Sequence, residues 1–297
     1  QSVTLSADGK TAFVADKADG LDIIDVSDLA NPTLTANYNT SGDAYGVILS
    51  ADGKTAFVAD NVDGLDIIDV GDSFANGDAS IATKASITGN FETSNFAMGV
   101  TLSADGKTAF VANFRGGLEI INISDLANPT LTANIDTSAG FFGSGLVYSV
   151  TLSADGKTAF VTHYADGLDI IDISDLANPT LTGNFDTSGD AYGVTLSADG
   201  KTAFVADMED GLDIIDVSDL ANPTLTGNYD TSGSARDVIL SADGQTAFVA
   251  DWDDGLDIID ISDLANPTLT GNYDTSGNAY AVPLSADGKT AFVADSS

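Results

Sequence analysis

The stretch from Ser197 to Gly233, S-A-D-G-K-T-A-F-V-A-D-M-E-D-G-L-D-I-I-D-V-S-D-L-A-N-P-T-L-T-G-N-Y-D-T-S-G, decides the fold. Its opening tetrapeptide S-A-D-G recurs at Ser6, Ser50, Ser103, Ser153, Ser197, Ser241 and Ser285. Four of the six spacings are 44 residues, and the other two are 53 and 50, so two copies carry insertions of 9 and 6. A fixed period of this size marks a repeat architecture. Within one copy, 191–197 reads as a short apolar strand A, and Ala198-Asp199-Gly200 as a tight turn in which Asp and Gly accept left-handed backbone. Thr202 to Ala206 is strand B, Asp207 to Gly211 a second turn, and Leu212 to Val217 strand C. Ser218 to Pro223 is a loop ending in Asn-Pro, and Thr224 to Tyr229 is strand D. No segment has helical spacing of apolar residues.

Strands B and C carry adjacent apolar residues, Phe204 with Val205 and Ile214 with Ile215. A half-wet sheet would alternate, so these strands are expected to be buried on both faces. Four short antiparallel strands per unit, arrayed radially, predict an all-β β-propeller. A β-solenoid is the runner-up, although its rungs are usually shorter than this repeat. Seven A–B pairs but only six C–D pairs predict seven blades with the last incomplete, or alternatively six. One propeller domain over 1–297 is expected, with repeats starting near 1, 45, 98, 148, 192, 236 and 280, as part of a longer chain or assembly. The terminal hairpin should present an open strand edge, a template for strand addition or self-assembly with another protein chain.

S-A-D-G-K-T-A-F-V-A-D resembles the YVTN-type propeller repeat of surface-layer proteins. G-L-D-I-I-D-V-S-D-L-A-N-P-T-L-T-G-N-Y-D-T-S-G resembles the LVIVD repeat of bacterial and archaeal extracellular propellers. The resemblance covers almost the whole chain. It implies a propeller in a surface or secreted protein and says little about activity.

Composition excludes several classes. The chain has 45 acidic against 10 basic residues, a net charge of −35, which repels nucleic acid and anionic membranes. With no Cys and one His, His163, there is no thiolate or multi-histidine metal centre. No apolar run reaches the length of a membrane span. Gln1 follows no Met, so the chain reads as a processed or trimmed form, and its acidic, Cys-free character fits secretion into a saline setting.

The copies differ mainly in two connections. The B–C turn reads Lys17-Ala18, Asn61-Val62, Phe114-Arg115, Tyr164-Ala165, Met208-Glu209 and Trp252-Asp253 in successive copies. The D–A connection varies at 95–98, 139–147 and 234–236. In an up-and-down blade both emerge at one rim, the pattern of a binding surface on a constant scaffold. Phe96, Phe114, Arg115, Phe141, Phe142, His163, Tyr164 and Trp252 are therefore the candidate residues for a surface glycan or partner protein, aromatic residues being enriched at recognition sites. The plain alternatives are drift at exposed loops, and Phe141 and Phe142 merely packing a longer loop. The insertion between Gly71 and Ser86 falls at the opposite face and reads as a loop extension.

The pattern D-x-x-D-G-x-D nominates Asp16, Asp19, Asp60, Asp63, Asp207, Asp210, Asp251 and Asp254 as possible Ca2+ ligands, since clustered carboxylates suit a hard cation. Turn capping explains the same residues, and strand alternation directs Asp213 away from the turn. No nucleophile elbow, phosphate loop or metal triad is present. Strand A is nearly uniform, and its departures, Arg236-Asp237 and Pro283, are too few for an active site. The expected function is non-enzymatic adhesion or assembly at the cell surface. The alternatives are a lactonase-like or glycan-active enzyme with its site in the central funnel, and a Ca2+-stabilised structural module; no cofactor is required, and Ca2+ is the one candidate.

Overall fold

The computed structural model describes residues 1–71, 85–137 and 146–296. The described elements are all strands, arranged as a β-propeller of six four-stranded antiparallel blades and one two-stranded sheet. The blades span 2–38, 44–91, 99–135, 147–185, 191–229 and 237–273. Each closes within one repeat, which rules out the solenoid alternative. Blade 5 shows the plan: Ala191–Leu196 (strand A), Thr202–Asp207 (B), Gly211–Asp216 (C) and Thr224–Tyr229 (D), hydrogen-bonded in that order. Its register pairs Val194 with Val205, Phe204 with Ile214, and Ile215 with Leu225.

The constant residues of the repeat are accounted for by its turns. Ser197 Oγ donates to Asp199 Oδ1 at 2.8 Å and accepts from Thr202 N at 3.0 Å, so the A–B turn is closed by its own side chains. In the C–D loop, Ala221 N and Asn222 Nδ2 donate to the two oxygens of Asp219, each at 3.1 Å. These local bonds compete with extended structure and make turns of S-A-D-G and S-D-L-A-N-P.

The chain divides into two compact units. One comprises Gln1–Phe114, Glu119–Thr132 and Pro283–Phe292, and the other Arg115–Leu118, Ala133–Val282 and Val293–Ser297. In the second unit, Phe160, Leu168 and Ile170 of blade 4 pack on Ala203, Val205 and Ile215 of blade 5. Phe204, Leu212 and Ile214 of blade 5 pack on Val249, Ile259 and Ile261 of blade 6. Adjacent residues of one strand thus serve two neighbours, so the apolar run does not alternate. The first unit repeats this, with Phe13 and Ile23 in one cluster with Val58 and Ile68, and Phe57 and Ile67 in one with Val111 and Ile121.

The seventh sheet pairs Asn278–Ala281 with Ala294–Ser296 and has no third strand among the described residues. It is shorter than the six other A–B pairs. Pro283 falls where the ladder should continue and offers no N–H, and beyond it only an isolated bridge joins Leu284 to Ala291. The insertion at 72–84 lies outside the described residues.

Candidate functional site

The B–C turns are built tightly. In blade 5, Asp210 N donates to Asp207 O at 2.8 Å and Gly211 N to Met208 O at 3.2 Å. The first turn residue takes positive φ despite its side chain: Lys17 45°, Phe114 22°, Met208 30° and Trp252 31°. That backbone is uncommon for residues other than Gly and marks a position held by its surroundings. At three of the four, what holds it is the start of strand A in the next copy, through bridges from Lys17 to Ala44, Met208 to Ala235 and Trp252 to Ala279. Within each unit, the two variable connections therefore meet at one end of the blades.

Near its start, strand A departs from the ladder in four copies. Tyr45, Tyr148, Tyr192 and Tyr280 each sit at a register shift in strand A. A bulge re-aims a side chain out of the pleat. In the second unit the outcome is one continuous row. Tyr148 stacks on Tyr192 with centroids 4.0 Å apart, and Tyr164 lies 6.1 and 6.4 Å from the two rings. The Arg236 guanidinium then lies between Tyr192 and Trp252, 4.1 and 3.6 Å from their centroids. Trp252 continues to Tyr280 at 5.6 Å. All five rings are half-buried, while Arg236 is buried and its Nε lacks a hydrogen-bond partner. Cation–π attraction is strongest when the cation is desolvated, so this sandwich is a rigid support for the rings beside it.

Sequence reasoning found Tyr164 and Trp252 of this row, noted Arg236 only as a departure in strand A, and passed over Tyr148, Tyr192 and Tyr280. Their signal was a Tyr shared by the heads of strand A, in Val147-Tyr148-Ser149, Ala191-Tyr192-Gly193 and Ala279-Tyr280-Ala281, whose place is taken by Arg236 in Ala235-Arg236-Asp237. Phe96 and Phe114 pair in the first unit at 6.1 Å, with Phe96 44% exposed. Arg115 is exposed. Phe141 and Phe142 lie outside the described residues. His163 is not a contact residue. It ends strand B, Thr158–His163, and is 1% exposed. Its Nε2 lies 3.2 Å from Asp169 Oδ2, but burial lowers the imidazole pKa to about 4, so at neutral pH the ring is uncharged.

Among the described residues the acidic turns form three clusters: Asp60, Asp63 and Asp66; Asp207, Asp210 and Asp213; Asp251, Asp254 and Asp257. In each, one oxygen per residue lies within 4.8 Å of the others. Asp213 is thus inside the cluster and does not turn away from it. Asp16 and Asp19 join no such cluster among the described residues. The carboxylates hold protein donors: Asp207 accepts from Thr187 Oγ1 at 2.9 Å and Gly189 N at 2.7 Å, Asp210 from Ser188 Oγ, and Asp213 from Asn228 Nδ2 at 2.9 Å. Thr187, Ser188 and Gly189 follow strand D of blade 4, so these bonds fasten one blade to the next. Burial is the chief cause that raises Asp66, Asp169, Asp207, Asp213 and Asp251 to about 6. A Ca2+ ion, which takes six to eight oxygens, would have to share these bonded carboxylates.

Models of the LVIVD repeat match residues 1–40, 41–75, 97–137, 147–187, 188–231 and 232–275. The chain belongs to the LVIVD repeat family. No curated protein matches it. Among solved structures, it is similar to the hydrazine synthase of Kuenenia stuttgartiensis, with a TM-score of 0.77 and 17% identity over 99% of this chain and 92% of that one. It is also similar to the periplasmic gluconolactonase PpgL of Pseudomonas aeruginosa, with a TM-score of 0.78 and 15% identity over 93% and 86% of the two chains. A functionally unknown protein of Desulfotomaculum acetoxidans gives 0.73 and 14% over 96% and 89%. At such identities the likeness of this LVIVD repeat chain to the three is a likeness of fold.

Proposed function

We propose that this LVIVD repeat protein is a non-enzymatic extracellular propeller for adhesion or assembly, binding a neutral surface glycan at the end of the blades where the B–C turns meet the starts of strand A. The observation that carries this reading is the row Tyr164, Tyr148, Tyr192, Arg236, Trp252 and Tyr280. Aromatic faces pre-set by packing suit the apolar faces of sugar rings, because little side-chain freedom is lost on contact. The net charge of −35 selects against anionic partners.

Trp252 is the single tryptophan of the chain and reports on the row directly. Titration with a panel of neutral oligosaccharides is expected to change its fluorescence saturably, and Tyr192→Ala and Tyr164→Ala are expected to abolish the change with the circular dichroism spectrum intact. If no oligosaccharide in the panel moves the signal in the folded protein, the reading fails. Turnover of gluconolactone that disappears in Arg236→Ala would replace it with an enzymatic one.

A further inference from the structure

Blade 4 carries a buried polar cluster that the repeat does not explain. In blades 5 and 6 strand B ends on Asp207 or Asp251. Oδ1 of that residue accepts from Thr187 or Thr231 Oγ1 at 2.9 Å, and Oδ2 accepts from Gly189 or Gly233 N. In blade 4 the same position holds His163, the single histidine of the chain. Thr137 is the equivalent of Thr187, and its Oγ1 has no hydrogen-bond partner. Neither ring nitrogen of His163 has one, and nor has Oδ2 of Asp166. His163 is 1% exposed, and Thr137, Asp166 and Asp169 are 7% exposed each. A neutral imidazole offers one donor and one acceptor, and native proteins leave few such buried groups unmatched.

The geometry selects what would match them. His163 Nε2 lies 3.2 Å from Asp169 Oδ2, near enough for a hydrogen bond, yet the nitrogen makes none. The two atoms are therefore misaligned for sharing a proton along the line between them. Two ligands about 2.0–2.1 Å from one tetrahedral Zn2+ stand about 3.3–3.4 Å apart, with the ion off that line. Asp169 is already oriented from behind. Its Oδ1 accepts from Asn184 Nδ2 at 2.9 Å, and the same Nδ2 donates to Asp166 O at 3.0 Å. Hydrogen-bonded support of this kind fixes a metal-binding carboxylate. Asp166 stands three residues after His163 in the same B–C turn, and its Oδ2 can join the ion by a change of rotamer. An imidazole among the ligands suits Zn2+ and its neighbours, whereas Ca2+ takes oxygen alone.

We propose that His163, Asp169 and Asp166 bind one divalent transition-metal ion of the Zn2+ class, with Asn184 positioning Asp169. The site differs in kind from the aspartate clusters of blades 5 and 6, whose carboxylates are taken up by threonine, serine, asparagine and glycine donors. It does not depend on the glycan reading, which concerns the rings of the aromatic row.

The single histidine makes the test direct. The chain, carrying nitrogen-labelled histidine and stripped of metal by a chelator, is titrated with ZnCl2 and left to equilibrate, because the ring is buried. Saturable uptake of one ion is expected, with the Nε2 resonance moving in step and with no displacement by excess CaCl2. His163→Asp restores the residue found at Asp16, Asp60, Asp207 and Asp251, so it should keep the fold, and it should weaken this uptake about a hundredfold. Asp169→Asn should weaken it about tenfold or more. Imidazole resonances unmoved by Zn2+ would mean that water satisfies the ring. Uptake equal in His163→Asp and the parent chain would mean that surface carboxylates hold the ion. Either result overturns the proposal, as does a folded chain that takes up no Zn2+.

Discussion

Replacing Gly211 by Ala is expected to destabilise the protein by about 4 kcal/mol or more, among the large values for a single substitution. Two costs coincide there. The backbone has φ of +85°, and an added Cβ would run into the carbonyl oxygen of Tyr229 and the amide of Thr231. Both obstacles are backbone and cannot swing aside. Gly200 provides the control. It also has positive φ, +69°, but nothing lies within 4 Å of its would-be Cβ. Its substitution should show the conformational term alone, about 1–2 kcal/mol. Urea denaturation of the two variants side by side checks this. Equal losses would mean that the close approach of the B–C turn to strand D is not tight.

Acidification from pH 7.5 to 5 is expected to raise the melting temperature. Asp66, Asp169, Asp207, Asp213 and Asp251 have pKa values raised from 3.8 to about 6, chiefly by burial. Between about pH 4 and 6 the folded state then binds more protons than the unfolded chain, so stability falls as pH rises through that window. A shift of two units corresponds to at most about 3 kcal/mol per group, and neighbouring groups do not add. His163 opposes the trend: its folded pKa is lowered to about 4, so stability is lost as pH falls from 6.5 to 4, but it is one group against five. Below about pH 4 the turn carboxylates Asp199, Asp216 and Asp243, held below their ordinary pKa by hydrogen bonds to Ser197, Ser218 and Ser241 and to the turn amides, lose those bonds and stability falls. Melting curves in 1 M salt, where the Debye length is about 3 Å, remove most of the long-range self-repulsion. Asp213→Asn should be more stable at pH 7.5 and gain less on acidification. A melting temperature that falls steadily from pH 7.5 to 5 in high salt would contradict this account.

Much of the fold is legible in the residues because each copy repeats the same local instructions. Ser197 and Asp199 close their own turn, and Phe204 beside Val205 announces a strand with two buried faces. The candidate site is less legible. Tyr148, Tyr192 and Arg236 touch only because strand A bulges at one residue and successive blades stand side by side, and neither fact is local in sequence. His163 sits in a variable position yet is buried, since it is the last residue of strand B rather than the first of the turn. Asp213 reaches Asp207 and Asp210 through the geometry of the hairpin, which simple alternation along strand C does not convey.

The bonds from Thr187, Ser188 and Gly189 to Asp207 and Asp210 also bear on how such a chain grows. The donors close one repeat and the acceptors lie in the middle of the next, as they do for Thr231, Ser232 and Gly233 with Asp251 and Asp254. A tandem duplication of one 44-residue period therefore inherits both a clasp for its successor and a socket for its predecessor. Gene copying of whole periods yields a joined neighbour without compensating mutations wherever the copy is cut, whereas copying a fraction of a period would deliver half of the fastening and strand buried carboxylates.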